Sequence, residues 1–282
     1  MAVLDNLLGL SRMLAVFVTF SWTLTLALFL SLLQFTKPLN KLIGITDPFA
    51  IGNAFLGWAT SRMMVIGGVH IDIVGQVGHR KGVIYMYNHT SNLDPVIVYC
   101  IDNQSRFIYK KELRVVPLLG WVLAAYRHIV IDRKNREKSL AAINDTGYNI
   151  LKANGSIMMA PEGTRSRTGE LLPFKKGGFH LALQAMVPIV PIVLTGAAPL
   201  LPKHSAKLVP GKVRMEALPD IIPREGETVD ELLDRTRIVF ANYKAPTLAP
   251  VDPVVAAAPS VLFWILMSVM TWYSATRFFF ME

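Results

Sequence analysis

Cysteine is almost absent from this chain. Cys100 stands alone, which excludes an intrachain disulfide and any cysteine-rich metal site. Its neighbours Val96-Ile97-Val98-Tyr99 make it a packing residue, and the region suits a reducing compartment. No Gly-x-Ser-x-Gly elbow occurs, which argues against the usual serine hydrolase arrangement. No Walker A or Rossmann glycine pattern occurs either, which argues against nucleotide hydrolysis and dinucleotide binding. His70, His79, His128, His180 and His204 show no metal-ligand spacing, so no metal site is expected. Acidic residues are the scarcer sign, 20 against 29 basic, leaving a formal net charge of +9. That excess calls for anionic partners. With no nucleic-acid module in the sequence, the expected anion is lipid.

Charge vanishes altogether from two stretches. Residues 13–36 carry none, a run long enough for the roughly 20 residues that a bilayer crossing needs. It is too long for a signal peptide and lacks a basic start and a small-residue cleavage site. Arg12 precedes it, and Lys37, Lys41 and a basic domain follow, so the positive-inside rule puts that domain in the cytoplasm. Residues 253–276 are also uncharged and hold Trp264, Trp272 and Tyr273 as interface anchors; a second membrane helix is expected there. Residues 47–66 set Ile51, Phe55, Trp58 and Met63 among Gly52 and Gly57, which suits a helix lying in the interface. The expected organisation is an N-terminal membrane segment over 1–66, a catalytic domain over 67–245, and a linker with a membrane helix over 246–282.

The middle of the chain alternates strand and helix patterns. Strands are expected at 69–74, 83–87, 106–110, 128–132, 156–160, 189–194 and 212–217, and helices at 94–102, 113–126, 136–153, 177–186 and 228–243. The third of these helices stops at Asn154-Gly155, and the last opens on a capping box, Thr228 to Glu231. The fold class is α/β, a mostly parallel or mixed sheet flanked by helices.

Two short segments carry the chemistry. In Asn88-His89-Thr90-Ser91-Asn92-Leu93-Asp94 a histidine precedes a carboxylate by five residues. An alcohol is a poor nucleophile unless a base takes its proton, and neutral imidazole suits that task once a carboxylate at Nδ1 fixes its tautomer. Residues five apart on one helix diverge by about 140°, so His89 belongs in a loop after a strand and Asp94 in the first helical turn. Val83-Ile84-Tyr85-Met86-Tyr87 supplies the strand, and Asn92, Asp94 and Pro95 the helix start. The second segment, Pro161-Glu162-Gly163-Thr164-Arg165-Ser166, follows an apolar run and so sits at a strand end, where ligands of α/β sheets gather. Arg165 and Arg133 offer planar forks that match phosphate oxygens, and Gly163 permits close backbone approach. Lys175-Lys176-Gly177-Gly178 either meets the phosphates of a carrier or faces water.

Four blocks together resemble the glycerolipid acyltransferase family, in particular the 1-acylglycerol-3-phosphate acyltransferases: NHTSNLD at 88–94, KKEL at 110–113 with HIVIDR at 128–133, APEGTRSRTG at 160–169 and VPIVPIV at 187–193. The resemblance implies His89 as base and Asp94 as its partner. It implies that Arg133, Glu162, Gly163, Thr164 and Arg165, with Lys110 or Lys111, handle the glycerol phosphate. Where the family favours Phe before PEGTR this chain has Ala160, a difference expected to touch packing only. The implied reaction moves a fatty acyl group from a thioester, acyl-CoA or acyl carrier protein, to the hydroxyl of lysophosphatidic acid, with no cofactor. The setting implied is a lipid bilayer, a bacterial inner membrane or its equivalent, with the N-terminal segment either a spanning helix or, as in relatives, a helical hairpin dipped into one leaflet. Two alternatives stay open: the same chemistry on another lysolipid, and a non-catalytic lipid-binding membrane protein.

Overall fold

The computed structural model describes residues 2–32, 50–76, 78, 80–100, 102, 104–202 and 207–279. Lys37, Lys41, His79 and His204 lie outside them, as do residues 33–36 and 47–49 of the two expected N-terminal helices. Seven strands form one sheet: β1 (Val69–Val74), β2 (Ile84–Tyr87), β3 (Arg106–Lys110), β4 (Ile129–Ile131), β5 (Ile157–Met159), β6 (Ile189–Thr195) and β7 (Gly211–Ala217). Their order is β1-β7-β6-β2-β5-β3-β4. The pairing of β6 with β7 is antiparallel and the others are parallel, so the sheet is mixed. Each strand falls on an expected segment. The reason is composition: β2, β5 and β6 are near-continuous apolar runs buried on both faces, as a covered parallel sheet requires. Pro191 is tolerated inside β6 because its missing N–H falls between the last β7 pair, Ile192 with Ala217, and the isolated bridge from Ile189 to Ile221.

Helices cover both faces. On one lie α1 (Ala2–Ser31), α2 (Ala50–Ile66), α3 (Asp94–Tyr99) and α4 (Leu119–Ala125), packed on Val83, Tyr85 and Tyr87 of the β2 segment. On the other lie α5 (Arg136–Ala141), α6 (Gly147–Lys152), α7 (Gly177–Ala185) and α8 (Val229–Ala241), the last three meeting Ile84 and Met86 through Leu151, Phe179 and Leu232. The alternation of β2 residues between the two cores is the period-2 rule of a strand. The capping box of α8 is present in full. The end of α6 is a Schellman motif in which Asn154, at φ 59, lets the Gly155 and Asn154 amides donate to Ile150 and Leu151 at 2.8 and 3.0 Å.

Three expectations need correction. The helix expected at 136–153 is split by a π-turn, Ala142–Thr146. The helix expected at 113–126 is a 3₁₀ turn, Lys111–Val115, followed by the short α4. Pro117 is the cause, since it drives Val116 to extended backbone (φ −74°, ψ 117°). The C-terminal helix, α9 (Pro253–Phe279), forms, but its described apolar stretch, Val255–Met270, is shorter than the roughly 20 residues of a crossing helix. Part of that helix serves as packing, with Ala256 and Ser260 buried and the Trp264 indole donating to Ser11 O at 3.4 Å. A C-terminal membrane span is therefore not supported. Asn6–Ser31 of α1, at mean hydropathy 2.1, is long and apolar enough to cross a membrane by length and composition. A buried hydrogen bond from the Tyr126 hydroxyl to Ala27 O, 3.0 Å, ties α1 to the end of α4.

The β3–β4 edge is completed by a side chain. Phe107 N donates to His128 Nδ1 at 2.9 Å, one residue before β4 begins. Burial holds this imidazole neutral, and with help from Arg106 its pKa is pushed down to about 3 from 6.5. Between those values the native state binds fewer protons than the unfolded chain, so stability rises with pH across the window and is lost on acidification. Denaturant midpoints in detergent are expected to fall from pH 6.5 toward pH 3, and His128→Gln, which keeps an acceptor, should flatten that dependence.

Candidate active site

The sheet reverses direction of growth beside β2. The helix after β2, α3, packs on one face, and the helix after its neighbour β5, α7, packs on the other. Such a divergence opens a crevice at the carboxyl ends of the two strands. His89 follows β2 and Glu162 follows β5, so the two motifs meet in that crevice. Lys110 ends β3, and Arg133 follows β4 on the same edge. At about 4.8 Å between strands, β2 and β4 lie roughly 14 Å apart, within reach of long cationic side chains converging on one ligand.

Asn88 ends β2 without breaking its pairing. Its side-chain amide donates to Leu194 O at 3.0 Å and accepts from Leu194 N at 2.7 Å, so a side chain continues the β6 ladder while the main chain turns away. The turn is closed by Asp94, which is fully buried. Its Oδ2 accepts from Thr90 N at 2.6 Å, from Ser91 N at 2.7 Å and from His89 Nδ1 at 2.9 Å. The first two bonds fix the loop, and the third fixes the ring. With a proton held at Nδ1, Nε2 carries the free lone pair that a general base needs, and the imidazole is the exposed partner of the pair, at 18% against 0%. The Tyr87 ring stands edge-on to it with centroids 6.2 Å apart. Burial pushes the Tyr87 phenol up, which keeps it protonated near neutrality.

The loop after β5 grips His89 by its main chain. Glu162, 2% exposed, accepts from His89 N at 2.9 Å through Oε1 and from Leu172 N at 3.0 Å through Oε2. Ser166 N donates to His89 O at 2.7 Å. Burial raises the Glu162 carboxyl pKa, and the two amide donors oppose that rise. Gly163 sits at φ 69, which favours glycine, and a Cβ there would come 3.2 Å from Lys175 Cγ. Thr164 is exposed and Arg165 half-buried. Ala160 packs against the core beneath. A cleft of about 210 Å³ adjoins the loop, lined by Asn88, Thr90, Glu162, Leu171 and Phe240 among others.

The cations divide into two kinds. Lys111 Nζ lies 2.6 Å from Asp132 Oδ2, and Lys176 pairs with Asp230 at 2.7 Å, so both hold structure in place. Among the described residues no salt bridge involves Lys110, Arg133 or Arg165. The structure thus brings His89, Asp94 and Glu162 into one hydrogen-bonded unit. Lys110, Arg133 and Arg165 lie on the same edge, and among the described residues their side chains make no hydrogen bond or ion pair with that unit. Asn88 and Ser166 were not singled out from the sequence. Asn88 carries a readable signal, an amide side chain directly after a buried strand, whereas Ser166 carries none.

The Acyltransferase family model matches residues 69–195, which hold His89, Asp94, Lys110, Arg133, Glu162 and Arg165. A 1-acyl-sn-glycerol-3-phosphate acyltransferase of Cocos nucifera is 36% identical over 233 residues, 79% of this chain and 75% of that protein. The enzyme of the same name from Limnanthes douglasii is 36% identical over 194 residues, 68% of this chain and 69% of its own. The crystal structure of the 1-acyl-sn-glycerophosphate acyltransferase from Thermotoga maritima superposes with a TM-score of 0.68 at 22% identity, over 87% of this chain and all of that one, and shares the fold. On sequence, fold and motif order together, the chain belongs to the 1-acyl-sn-glycerol-3-phosphate acyltransferase family of acyltransferases.

Proposed function

We propose that the protein transfers a fatty acyl group from a thioester to the free hydroxyl of lysophosphatidic acid, forming phosphatidic acid. The observation that carries the reading is the His89 Nδ1 to Asp94 Oδ2 bond of 2.9 Å, set on an edge that also bears Lys110, Arg133 and Arg165 without carboxylate partners among the described residues. His89 Nε2 takes the proton of the acceptor hydroxyl as its oxygen attacks the thioester carbonyl. The new C–O bond forms, the C–S bond breaks, and the departing thiolate takes the proton from the imidazolium. Asp94 stabilises the imidazolium between those two steps. Lys110, Arg133 and Arg165 meet the acceptor phosphate, where charge-assisted bonds set the distance from hydroxyl to base. Glu162 and Gly163 act on the loop: one anchors the His89 main chain, and the other lets the turn carry Thr164 and Arg165 toward the ligand.

The donor is acyl-CoA or an acyl carrier protein thioester, and no cofactor is required by these steps. With α1 in a bilayer, the basic domain lies on the cytoplasmic face, as a bacterial inner membrane or its equivalent would have it.

The test is acyl transfer from a labelled thioester by detergent-purified protein, offered lysophosphatidic acid or a neutral lysolipid. Product with lysophosphatidic acid alone is expected; equal product with the neutral acceptor would remove the cations from phosphate binding. His89→Ala should lower kcat by about 10²–10⁴-fold with folding intact, and near-normal turnover would sink the base assignment. Arg165→Ala should raise the acceptor KM with little change in donor KM. Glu162→Gln places an amide donor against a buried backbone N–H, at a cost of about 1–3 kcal/mol. It should lower the thermal midpoint and kcat together while leaving acceptor KM close to normal, whereas a pure KM effect would return Glu162 to the ligand.

A further inference from the structure

We propose that residues 113–121 of the catalytic domain form a small wedge that seats in the headgroup region of an anionic lipid bilayer, beside the phosphate end of the active site. The proposal rests on the reading that α1 enters a membrane. Val115 is 84% exposed, Trp121 58% and Val116 38%. Large apolar side chains grouped on one short segment mark an interaction surface rather than scattered exposure. The backbone holds them out at some cost. Leu118 lies at φ 61 and ψ −56, and Leu119 N donates to Pro117 O at 2.7 Å, so Leu118 is the centre of a left-handed γ-turn, a rare and strained form for a branched residue. The turn is locked rather than loose. Gly120 N donates to Val116 O at 2.8 Å, and a Cβ on Gly120 would strike the Arg114 carbonyl.

Two observations identify lipid as the occupant. First, the wedge is continuous with α1. The underside of α4, through Val122 and Tyr126, joins the core that holds α1, and the Tyr126 hydroxyl bonds Ala27 O at 3.0 Å. Around that bond α1 exposes its own apolar side chains, Trp22 at 70% and Phe29 at 69%. Second, the charge around the wedge complements anionic headgroups on balance: the exposed cations Lys110, Arg114 and Arg127 flank it against a single exposed carboxylate, Glu112. Aromatic and aliphatic tips above basic flanks suit the boundary between headgroup and acyl chain. The consequence is functional. The wedge starts just beyond Lys110, the last residue of β3, so seating it brings the cationic edge to the depth of lipid phosphates. A lysolipid then reaches the base by lateral movement within its leaflet.

The experiment uses the full chain with Cys100→Ser and single reporter cysteines at Val115→Cys, Trp22→Cys and Glu225→Cys, each carrying an environment-sensitive fluorophore. The proteins are reconstituted with vesicles of phosphatidylcholine and phosphatidylglycerol containing a quencher on the lipid acyl chain. Reporters at 115 and 22 are expected to shift to the blue and be quenched several-fold, while the one at 225 stays water-like. Quenching at 22 with a water-like signal at 115 would overturn the wedge and leave the membrane reading standing. A water-like signal at both would overturn the two together. A variant with Val115→Asp and Trp121→Asp should raise KM for vesicle-borne acceptor by about tenfold, equivalent to 1.4 kcal/mol, with kcat in micelles and circular dichroism unchanged. An unchanged vesicle KM, or a concentration-dependent dimer in detergent that hides residue 115, would also overturn it.

Discussion

Asp94 Oδ2 accepts three hydrogen bonds within 2.9 Å, and nearly everything distinctive about the site follows from them. A buried carboxylate is costly unless donors surround it. Here the donors are two consecutive backbone amides and an imidazole, so the same charge that needs satisfying also folds residues 89–94 and sets the ring. The five-residue spacing is what makes this possible: it leaves room for one tight turn between the end of β2 and the first turn of α3. A longer spacing would free the loop, and a regular helical spacing would turn the two side chains apart. The other oxygen, Oδ1, is buried and has no hydrogen-bond partner among the described residues, so the orienting load falls on Oδ2.

The sheet then does for charge what Asp94 does for the base. Four adjacent parallel strands, β2, β5, β3 and β4, end on one edge, and each contributes a different functional group. Parallel pairing is essential to this, because antiparallel neighbours would send alternate ends to the opposite edge. Three of the carboxylates at this edge are spent on structure, Asp132 on Lys111, Glu162 on backbone amides and Asp94 on the loop, while Glu112 just after β3 is exposed. Lys110, Arg133 and Arg165, in no salt bridge among the described residues, leave this edge with a positive excess that suits the anionic acceptor of the proposed reaction.

Much of this was legible because it rests on residue type and period. The strands announce themselves as apolar runs such as Ile157-Met158-Met159, and the His-Asp pair is fixed by chain spacing within one loop. What was not legible depends on which atom faces which. The sequence shows that Glu162 lies beside a glycine and an arginine, but not that both its oxygens point inward to amides of His89 and Leu172. Lys110 and Lys111 are indistinguishable as letters, and only the switch from β3, which ends at Lys110, to the 3₁₀ turn that begins at Lys111 sends one of them to Asp132. The misplaced helix at 113–126 had a readable cause, Pro117, outweighed by an apolar period that the γ-turn at Leu118 breaks.

Direct transfer also gains support from where the loop's serine hydroxyls are used. Ser91 is buried, and its Oγ accepts from Leu93 N at 3.3 Å; Ser166 is buried, and its Oγ accepts from Gly169 N at 3.1 Å. Each hydroxyl stabilises a turn and is withdrawn from the crevice. A covalent acyl-enzyme needs a hydroxyl or thiol presented to the base, and Cys100 lies after α3, its thiol directed back to Val96 O at 3.5 Å. Among the described residues no serine or cysteine is bonded to the His89 ring, and an oriented imidazole of that kind suits the proposed attack by a hydroxyl that arrives with the ligand. In the proposed reaction the acceptor has two anchoring demands, its phosphate on the cations and its hydroxyl on Nε2, and the distance between them along a glycerol backbone would be the specificity this edge imposes.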